Sequence, residues 1–153
     1  MVKRHYVFAI RQLTDDFVYL VAVIDWFSRY VLSWEMSNSL DVFFCLTALK
    51  RSLKLGKPEI FNTDQGSQFT SRDFSEMIIG NQIRMSMDSK GRALDNLFIE
   101  RLWRSLKYED IYLKEYRSIQ ELREGLKKYF DFYNNRRIHQ SLNYKTPAEV
   151  YFN

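Results

Sequence analysis

Three consecutive apolar segments near the start of the chain limit its fold more than any other feature of the sequence. Each segment is short and rich in β-branched and aromatic residues, and polar turn sequences separate them. They read HYVFAI, FVYLVAVI and YVLSWEM, with TDD and DWFSR between them. Such residues favour strands, and the intervening polar clusters favour turns. This part of the chain is therefore predicted to form a three-stranded antiparallel meander.

Helical periodicity begins at Asp41, where apolar residues recur at helical spacing as far as Leu53 and the sequence LGKP ends the helix. EIFNT predicts a short strand, SRDFSEMII a helix opened by a serine cap, and QIRMSM another strand. SMDSKGRALDN is polar and is interpreted as a mobile loop. LDNLFIERLWRSLKYEDIYL and SIQELREGLKKYFDFYNN are helical by spacing, and YKTPAEVYF places a proline at a helix start. The predicted order is βββαβαβα, with further helices after it.

Composition sets the outer limits of the interpretation. A chain of 153 residues with 46% hydrophobic residues suits one domain with a substantial core. The 23 basic residues outnumber the 19 acidic residues, which suits an anionic partner but does not identify it. Cys45, the single cysteine, lies among apolar residues, which predicts a buried structural thiol. The longest apolar run is interrupted by Asp25 and is too short to cross a bilayer, so we expect a cytoplasmic protein without a membrane partner.

Two carboxylates stand out at positions where ligands often bind. Asp64 follows the strand EIFNT and precedes a loop that contains glycine, and open α/β sheets bind ligands at the carboxyl ends of their strands. A helix beginning near Ala93 places Asn96, Glu100 and Lys107 on one polar side. Two carboxylates brought together can bind Mg²⁺, which prefers oxygen ligands, and Lys107 can reach a phosphate. The alternative is a turn residue on the loop and a solvated stripe on the helix.

The residues around these carboxylates resemble a known family. The segments YLVAVIDWFSRYVLSW, DQGSQFTS, DNLFIERLWRSLKYE and YNNRRIHQSLNYKTPAEVY occur in the order found in integrase-like DDE transposases, encoded by the second open reading frame of bacterial insertion sequences. The 35 residues between Asp64 and Glu100 match the spacing in the catalytic core that these transposases share with retroviral integrases. The resemblance covers the chain from Phe17 to its C-terminus.

The resemblance implies an α/β, RNase H-like fold, with a mixed five-stranded sheet, flanking helices and a C-terminal helical extension. Residues 1–153 would form a single domain, with the core in about 1–108 and the extension in about 109–153. The implied substrate is DNA, both the element ends and the target, in the bacterial cytoplasm or on the nucleoid. A homo-oligomer or a full-length transposase is a further expected partner. The implied cofactor is a pair of Mg²⁺ or Mn²⁺ ions, which activate the attacking oxygen in an in-line displacement.

The same resemblance assigns roles to individual residues. Asp64 and Glu100 become metal ligands and catalytic residues, and Asn96, Arg104 and Lys107 become DNA-binding residues. The family has a third acidic ligand, an aspartate in a W-x-x-D-x-T-Y pattern on the first strand. Backward alignment from FVYL places Val7 at that position, or Tyr6 if one gap is allowed. The chain therefore lacks the first acidic ligand, and we expect an N-terminally truncated transposase that is impaired or inactive in catalysis.

Three other aspartates are possible replacements for the missing ligand. Asp15 and Asp16 fall in a predicted hairpin turn, where aspartate is expected for turn reasons. Asp25 ends the second strand, but family members that keep the first aspartate also carry this residue, which implies a structural role. Asp25 stays open as an alternative third ligand.

The remaining polar and aromatic residues each have two interpretations. His139 is interpreted as a core or capping residue near the site. A basic stripe of arginines and Lys107 suits DNA phosphates or plain solvation; the arginines are Arg101, Arg104, Arg136 and Arg137. The aromatic residues of KKYFDFYNN are predicted to pack in the core, and Trp103 is left open. A basic nucleic-acid-binding module unrelated to transposition is a third functional hypothesis, which would require the motif spacing to be coincidental.

Overall fold

The computed structural model of the chain describes residues 4–14, 18–39, 41–63, 72–86 and 93–153, with only the backbone described for 86 and 93–97. The chain forms two compact units. The first comprises Met1–Phe27 and Val31–Lys90, and the second comprises Ser28–Tyr30 and Gly91–Asn153. The predicted single domain stays a prediction.

The described part of the first unit contains a mixed five-stranded sheet. Its strands are β1 (His5–Thr14), β2 (Val18–Asp25), β3 (Val31–Ser37), β4 (Ile60–Thr63) and β5 (Arg84–Ser86). Their order across the sheet is β3-β2-β1-β4-β5. The β1–β2 and β2–β3 pairs are antiparallel, whereas β1–β4 and β4–β5 are parallel. The predicted meander and the predicted mixed sheet are both confirmed.

Two helices cover one face of this sheet. They are α1 (Val42–Leu55) and α2 (Arg72–Gly80). Asp41 caps α1 by accepting a hydrogen bond from the Phe43 amide at 2.9 Å. The Ser33 hydroxyl on β3 donates to the Ala48 carbonyl of α1 at 2.6 Å, and the Phe74 ring of α2 packs edge-on against Phe8, 5.1 Å between centroids. The serine cap predicted for α2 falls on Ser71, outside the described residues.

The buried thiol prediction is also confirmed in this unit. Cys45 lies on α1 with its side chain fully buried. Burial raises the pKa of the Cys45 thiol to about 12, so it stays protonated and unreactive.

The second unit is helical. It contains α3 (Ala93–Leu106), a π-helical turn (Lys107–Ile111), α4 (Ile119–Asn135), a 3₁₀ turn (Gln140–Leu142) and α5 (Pro147–Tyr151). Ser118 caps α4, and Thr146 with Glu149 forms a capping box on α5. The order βββαβαβα is confirmed. The π-helical turn was not predicted, and residues 87–92 of the expected mobile loop lie outside the described residues.

Two consecutive carboxylates of the π-helical turn hold neighbouring segments of this unit. Glu109 accepts hydrogen bonds from the Tyr129 hydroxyl of α4 and from Arg137. Asp110 is almost fully buried, accepts a hydrogen bond from the Tyr116 hydroxyl at 2.6 Å, and pairs with the Lys114 ammonium at 2.9 Å.

Three of the four aromatic residues of α4 that were predicted to pack in the core do so, and the fourth, Phe132, is half-buried. Tyr129, Phe130 and Tyr133 are buried. Trp103 on α3, left open by the sequence, is 3% exposed and is a buried packing residue. Within the described residues, no helix has the length and apolar character needed to cross a membrane.

Candidate functional site

The first predicted carboxylate, Asp64, comes directly after the last residue of β4 in the sequence. β4 ends at Thr63, which pairs with Phe8 of the parallel strand β1. Asp64 is the next residue in the sequence and lies outside the described residues. Its predicted position directly after a strand is consistent with the end of β4 at Thr63. Its proposed role as a metal ligand stays a prediction.

β1 has a valine and a tyrosine at the two positions predicted for the first acidic ligand. Val7 pairs with Asn62, and Tyr6 pairs with Phe61, so the two residues point to opposite faces of the sheet. Val7 is 7% exposed, whereas Tyr6 is fully buried with its ring edge-on to Phe61 at 6.5 Å between centroids. Neither residue supplies a carboxylate.

Asp25 lies at the end of β2 and is 4% exposed. It pairs with Tyr6, which places the two side chains on the same face of the sheet. Phe8 lies on that face too and packs against α2. Asp25 therefore lies on the face opposite Val7, which weighs against it as a substitute for an acid at position 7. Asp15 and Asp16 lie outside the described residues.

α3 carries the second predicted carboxylate and part of the predicted basic stripe. Glu100 and Arg104 are exposed and one turn apart, so they share a side of the helix. The Arg104 guanidinium lies 5.7 Å from the centre of the Tyr108 ring. Lys107 is half-buried and begins the π-helical turn. Asn96 lies within α3.

The described residues contain no three-carboxylate metal site, and Asp64 is not among them. Among them, no group of three or more His, Cys, Asp or Glu side chains lies close enough to hold a metal ion. Glu100 is the one predicted carboxylate ligand whose side chain is described, and Val7 and Tyr6 are the two positions predicted for the first ligand. A hard divalent cation needs oxygen ligands, which the valine side chain does not offer.

The sequence did not predict a pocket in the second unit that is rich in arginine. The pocket has a volume of about 210 Å³ and is lined by side chains that include Arg29, Arg101, Arg104, Arg137 and His139. Three of these arginines belong to the predicted basic stripe. Arg29 comes from the distant WFSRY turn, and no short-range pattern links that turn to α3.

Two side chains at this pocket have shifted pKa values. Arg137 holds Glu109 through its Nε, 3.0 Å from Oε1, and its Nη2, 2.7 Å from Oε2. Burial opposes ionisation of Glu109, but hydrogen bonds from Arg137 and Tyr129 outweigh it and lower the pKa of this carboxyl. Burial, together with the nearby Arg137 and Arg29 cations, lowers the pKa of His139 to about 4. His139 is therefore neutral at pH 7.

Known proteins resemble this chain in both sequence and fold. It is 33% identical over 135 residues to the putative transposase InsK for insertion sequence element IS150 of Escherichia coli (strain K12), a match covering 86% of this chain and 48% of that protein. It is 31% identical over 136 residues to the transposase for insertion sequence element IS904 of Lactococcus lactis subsp. lactis (strain IL1403), covering 86% of this chain and 54% of that protein. The chain thus spans about half the length of these relatives.

Solved structures confirm the RNase H-like fold. The HTLV-2 integrase catalytic core domain in complex with magnesium (trimeric form) matches with a TM-score of 0.76 and 19% identity, covering 97% of this chain and 95% of that one. The catalytic core domain of BIV integrase matches with a TM-score of 0.79 and 13% identity, covering 97% of this chain and 93% of that one.

Two family models described as integrase core domain match the sequence, one over residues 7–93 and the other over residues 81–147. The first alone covers more than half of the chain. The chain belongs to the integrase core domain family.

Proposed function

We propose that this chain is an integrase-core transposase polypeptide that acts on DNA. The family match and the transposases among its relatives support the proposal. The observation that carries it is the arrangement on α3, where Glu100 is exposed and Arg104 follows one turn later. A carboxylate beside a cation suits a site that handles a phosphodiester. In this proposal Asp64 and Glu100 are the catalytic carboxylates.

The proposed DNA-binding residues are Asn96, Arg104 and Lys107. Arginine and lysine contact phosphates by charge, and such contacts do not depend on base sequence. Binding through these residues should therefore be salt-sensitive and largely independent of sequence. The proposed substrates are the element ends and the target DNA, and the proposed location is the bacterial cytoplasm and nucleoid.

We propose that catalysis is impaired. Two divalent ions, Mg²⁺ or Mn²⁺, carry four positive charges between them. A site with two carboxylates instead of three supplies one counter-charge fewer and loses one bridging ligand. Val7 and Tyr6 are both buried in the sheet, and neither compensates for this loss.

A second candidate function is a catalytically inactive polypeptide that binds DNA or a full-length transposase. The specific observation that favours it is the apolar side chain at position 7. In this case, adding the chain to an active full-length transposase of the same element should reduce its transposition in proportion to the amount added. The proposed homo-oligomer or hetero-oligomer would form through the same integrase-core fold.

Filter binding of duplex DNA at increasing salt concentrations tests whether the chain binds DNA as proposed. The expected result is weak binding. The logarithm of the association constant should fall linearly as the logarithm of the salt concentration rises. Lys107→Ala should reduce the slope of this salt dependence by the amount expected for about one phosphate contact. Lys54→Ala, at an exposed lysine of α1, should have little effect on the slope. Nanomolar, sequence-selective binding by this chain alone would contradict the proposal.

A further inference from the structure

The arginine-rich pocket of the second unit is formed by segments that are far apart in the sequence. Arg101 and Ser105 come from α3, Ser141 comes from the 3₁₀ turn, and Arg29 comes from the turn after β2. The pocket has a volume of about 210 Å³. Pockets that enclose whole drug-sized ligands are larger, at about 300–1,000 Å³. This one suits a small charged group.

Arg29 is held in an unusual conformation at this pocket. Its φ is 65°, in the left-handed region that a non-glycine residue rarely occupies. Its guanidinium carbon lies 3.9 Å from the centre of the Phe98 ring, which fixes the side chain by a cation–π contact. A backbone in this region is strained and persists where the surrounding structure enforces it. The guanidinium is thereby positioned in the wall of the pocket before any ligand arrives.

The positive charge of the pocket is only partly compensated. Glu109 neutralises Arg137 through a bidentate ion pair. In the part of the chain that the structure describes, no acidic side chain forms a salt bridge with Arg101, which is exposed. The Ser105 hydroxyl accepts a hydrogen bond from Arg137 at 3.3 Å and can donate its own proton to a ligand. The pocket therefore offers cationic and neutral donors to an anion.

We propose that this pocket binds one phosphodiester group of a DNA strand, with Arg29 and Arg101 as its principal contacts and the Ser105 and Ser141 hydroxyls as further donors. The proposal deepens the proposed function, on which it rests, by naming a phosphate-binding site apart from Asp64, Glu100 and Lys107. Guanidinium groups present paired N–H donors that match the oxygens of a phosphate. The cationic lining favours the charged phosphate group over an uncharged base.

The proposal is tested by fluorescence anisotropy of a labelled DNA duplex in EDTA, so that neither metal binding nor strand transfer affects the result. The variant Arg29→Gln/Arg101→Gln should weaken binding at low salt by about tenfold or more and reduce the salt slope by about one phosphate contact. The control is Arg123→Gln/Lys127→Gln, which removes two exposed charges from α4 outside this pocket. The control should change binding by less than about threefold. Equal losses for the two double variants would overturn the proposal.

A variant with the opposite effect strengthens the test. Glu109→Gln removes the negative charge that neutralises Arg137 and should strengthen DNA binding by about two- to fivefold. Weaker binding by a folded Glu109→Gln protein would overturn the proposal, as would polyglutamate competing as well as DNA at equal charge. Circular dichroism verifies folding, and Arg101→Gln alone replaces the double variant if Arg29→Gln does not fold.

Failure of this proposal is separable from failure of the proposed function. Salt-sensitive DNA binding that Lys107→Ala weakens, combined with equal losses for the pocket and control variants, would overturn the pocket alone. Selective loss of DNA binding in the pocket variant would support the pocket whether or not transfer occurs. A chain that does not bind DNA at low salt in EDTA would overturn the pocket.

Discussion

At the residue scale, the sheet register separates two positions that the sequence left equivalent. Val7 of β1 pairs with Asn62 of β4, so these two residues share one face of the sheet. Asn62 precedes Asp64 by two residues in the sequence. Tyr6 lies on the opposite face, fully buried against Phe61. An acid at position 7 would therefore replace a small side chain that is not completely buried, whereas an acid at position 6 would replace an aromatic core residue.

We predict that Val7→Asp raises Mn²⁺ affinity, measured by isothermal titration calorimetry, by about tenfold or more, because it adds a carboxylate ligand. Tyr6→Asp should not raise it, and should lower the free energy of unfolding by about 3–5 kcal/mol through lost packing and a buried charge. Higher Mn²⁺ affinity in Tyr6→Asp but not in Val7→Asp would show that this alignment is wrong.

Gly125 is a second residue at which the structure makes a sharp prediction. It is buried in α4, and a Cβ there would overlap the Tyr116 ring, whose hydroxyl is hydrogen-bonded to the buried Asp110. Gly125→Ala should lower the free energy of unfolding by about 1–3 kcal/mol, because the ring must move and the hydrogen bond weakens. Urea denaturation measures the change.

The matched control is Gly80→Ala at the end of α2, where an added Cβ meets no atom within 4 Å. This substitution should leave stability unchanged or raise it slightly, by up to about 1 kcal/mol. A Gly125→Ala protein as stable as Gly80→Ala would contradict the packing described around Tyr116.

At the scale of secondary-structure elements, the segment from α4 to the 3₁₀ turn predicts a pH dependence. The pKa of His139 falls from 6.5 when unfolded to about 4 in the fold, because burial and the Arg137 and Arg29 cations oppose its protonation. Between these values the unfolded chain binds a proton that the folded chain does not. The free energy of unfolding should therefore fall as pH falls from about 6.5 to 4.

The measurement is urea denaturation across this pH range. His139→Gln should flatten the decrease, whereas His5→Gln, the substitution of the other histidine, should retain the part due to His139. Identical pH profiles for the wild type and His139→Gln would contradict the buried, neutral state of His139.

The elements themselves were largely predictable from sequence, because each depends on local pattern. β-branched runs, the Asp41 cap and the Pro147 helix start all act within a few residues. The π-helical turn at Lys107–Ile111 was missed because its apolar spacing there is close to that of an ordinary helix. The contacts of Glu109 with Tyr129 and Arg137 show what this turn positions.

The candidate site was predictable only in part. Asp64 and Glu100 were identified from motif spacing, and their joint role stays a prediction. The contribution of Arg29 to the arginine-rich pocket depends on a turn more than sixty residues before α3 in the sequence. Long-range placement of this kind is set by tertiary packing, which local sequence patterns do not encode.

At the scale of the whole molecule, membership of the integrase core domain family favours catalytic activity, whereas the predicted loss of the first ligand opposes it. The fold and the sequence are those of an integrase core domain, and the excess of basic residues suits the proposed DNA partner. Position 7 on β1, however, is a valine, and it is one of the two positions predicted for the family's first acidic ligand. The central claim is therefore an integrase core with impaired strand transfer.

The measurement that tests this claim most directly is a strand-transfer assay with the purified chain, Mn²⁺ and a labelled duplex that ends in the terminal sequence of the encoding element. We predict no product above an Asp64→Asn control, because two carboxylates hold the metal ions too weakly. Val7→Asp should raise the product above that control. Robust transfer by the unmodified chain that is lost in Asp64→Asn would contradict the account.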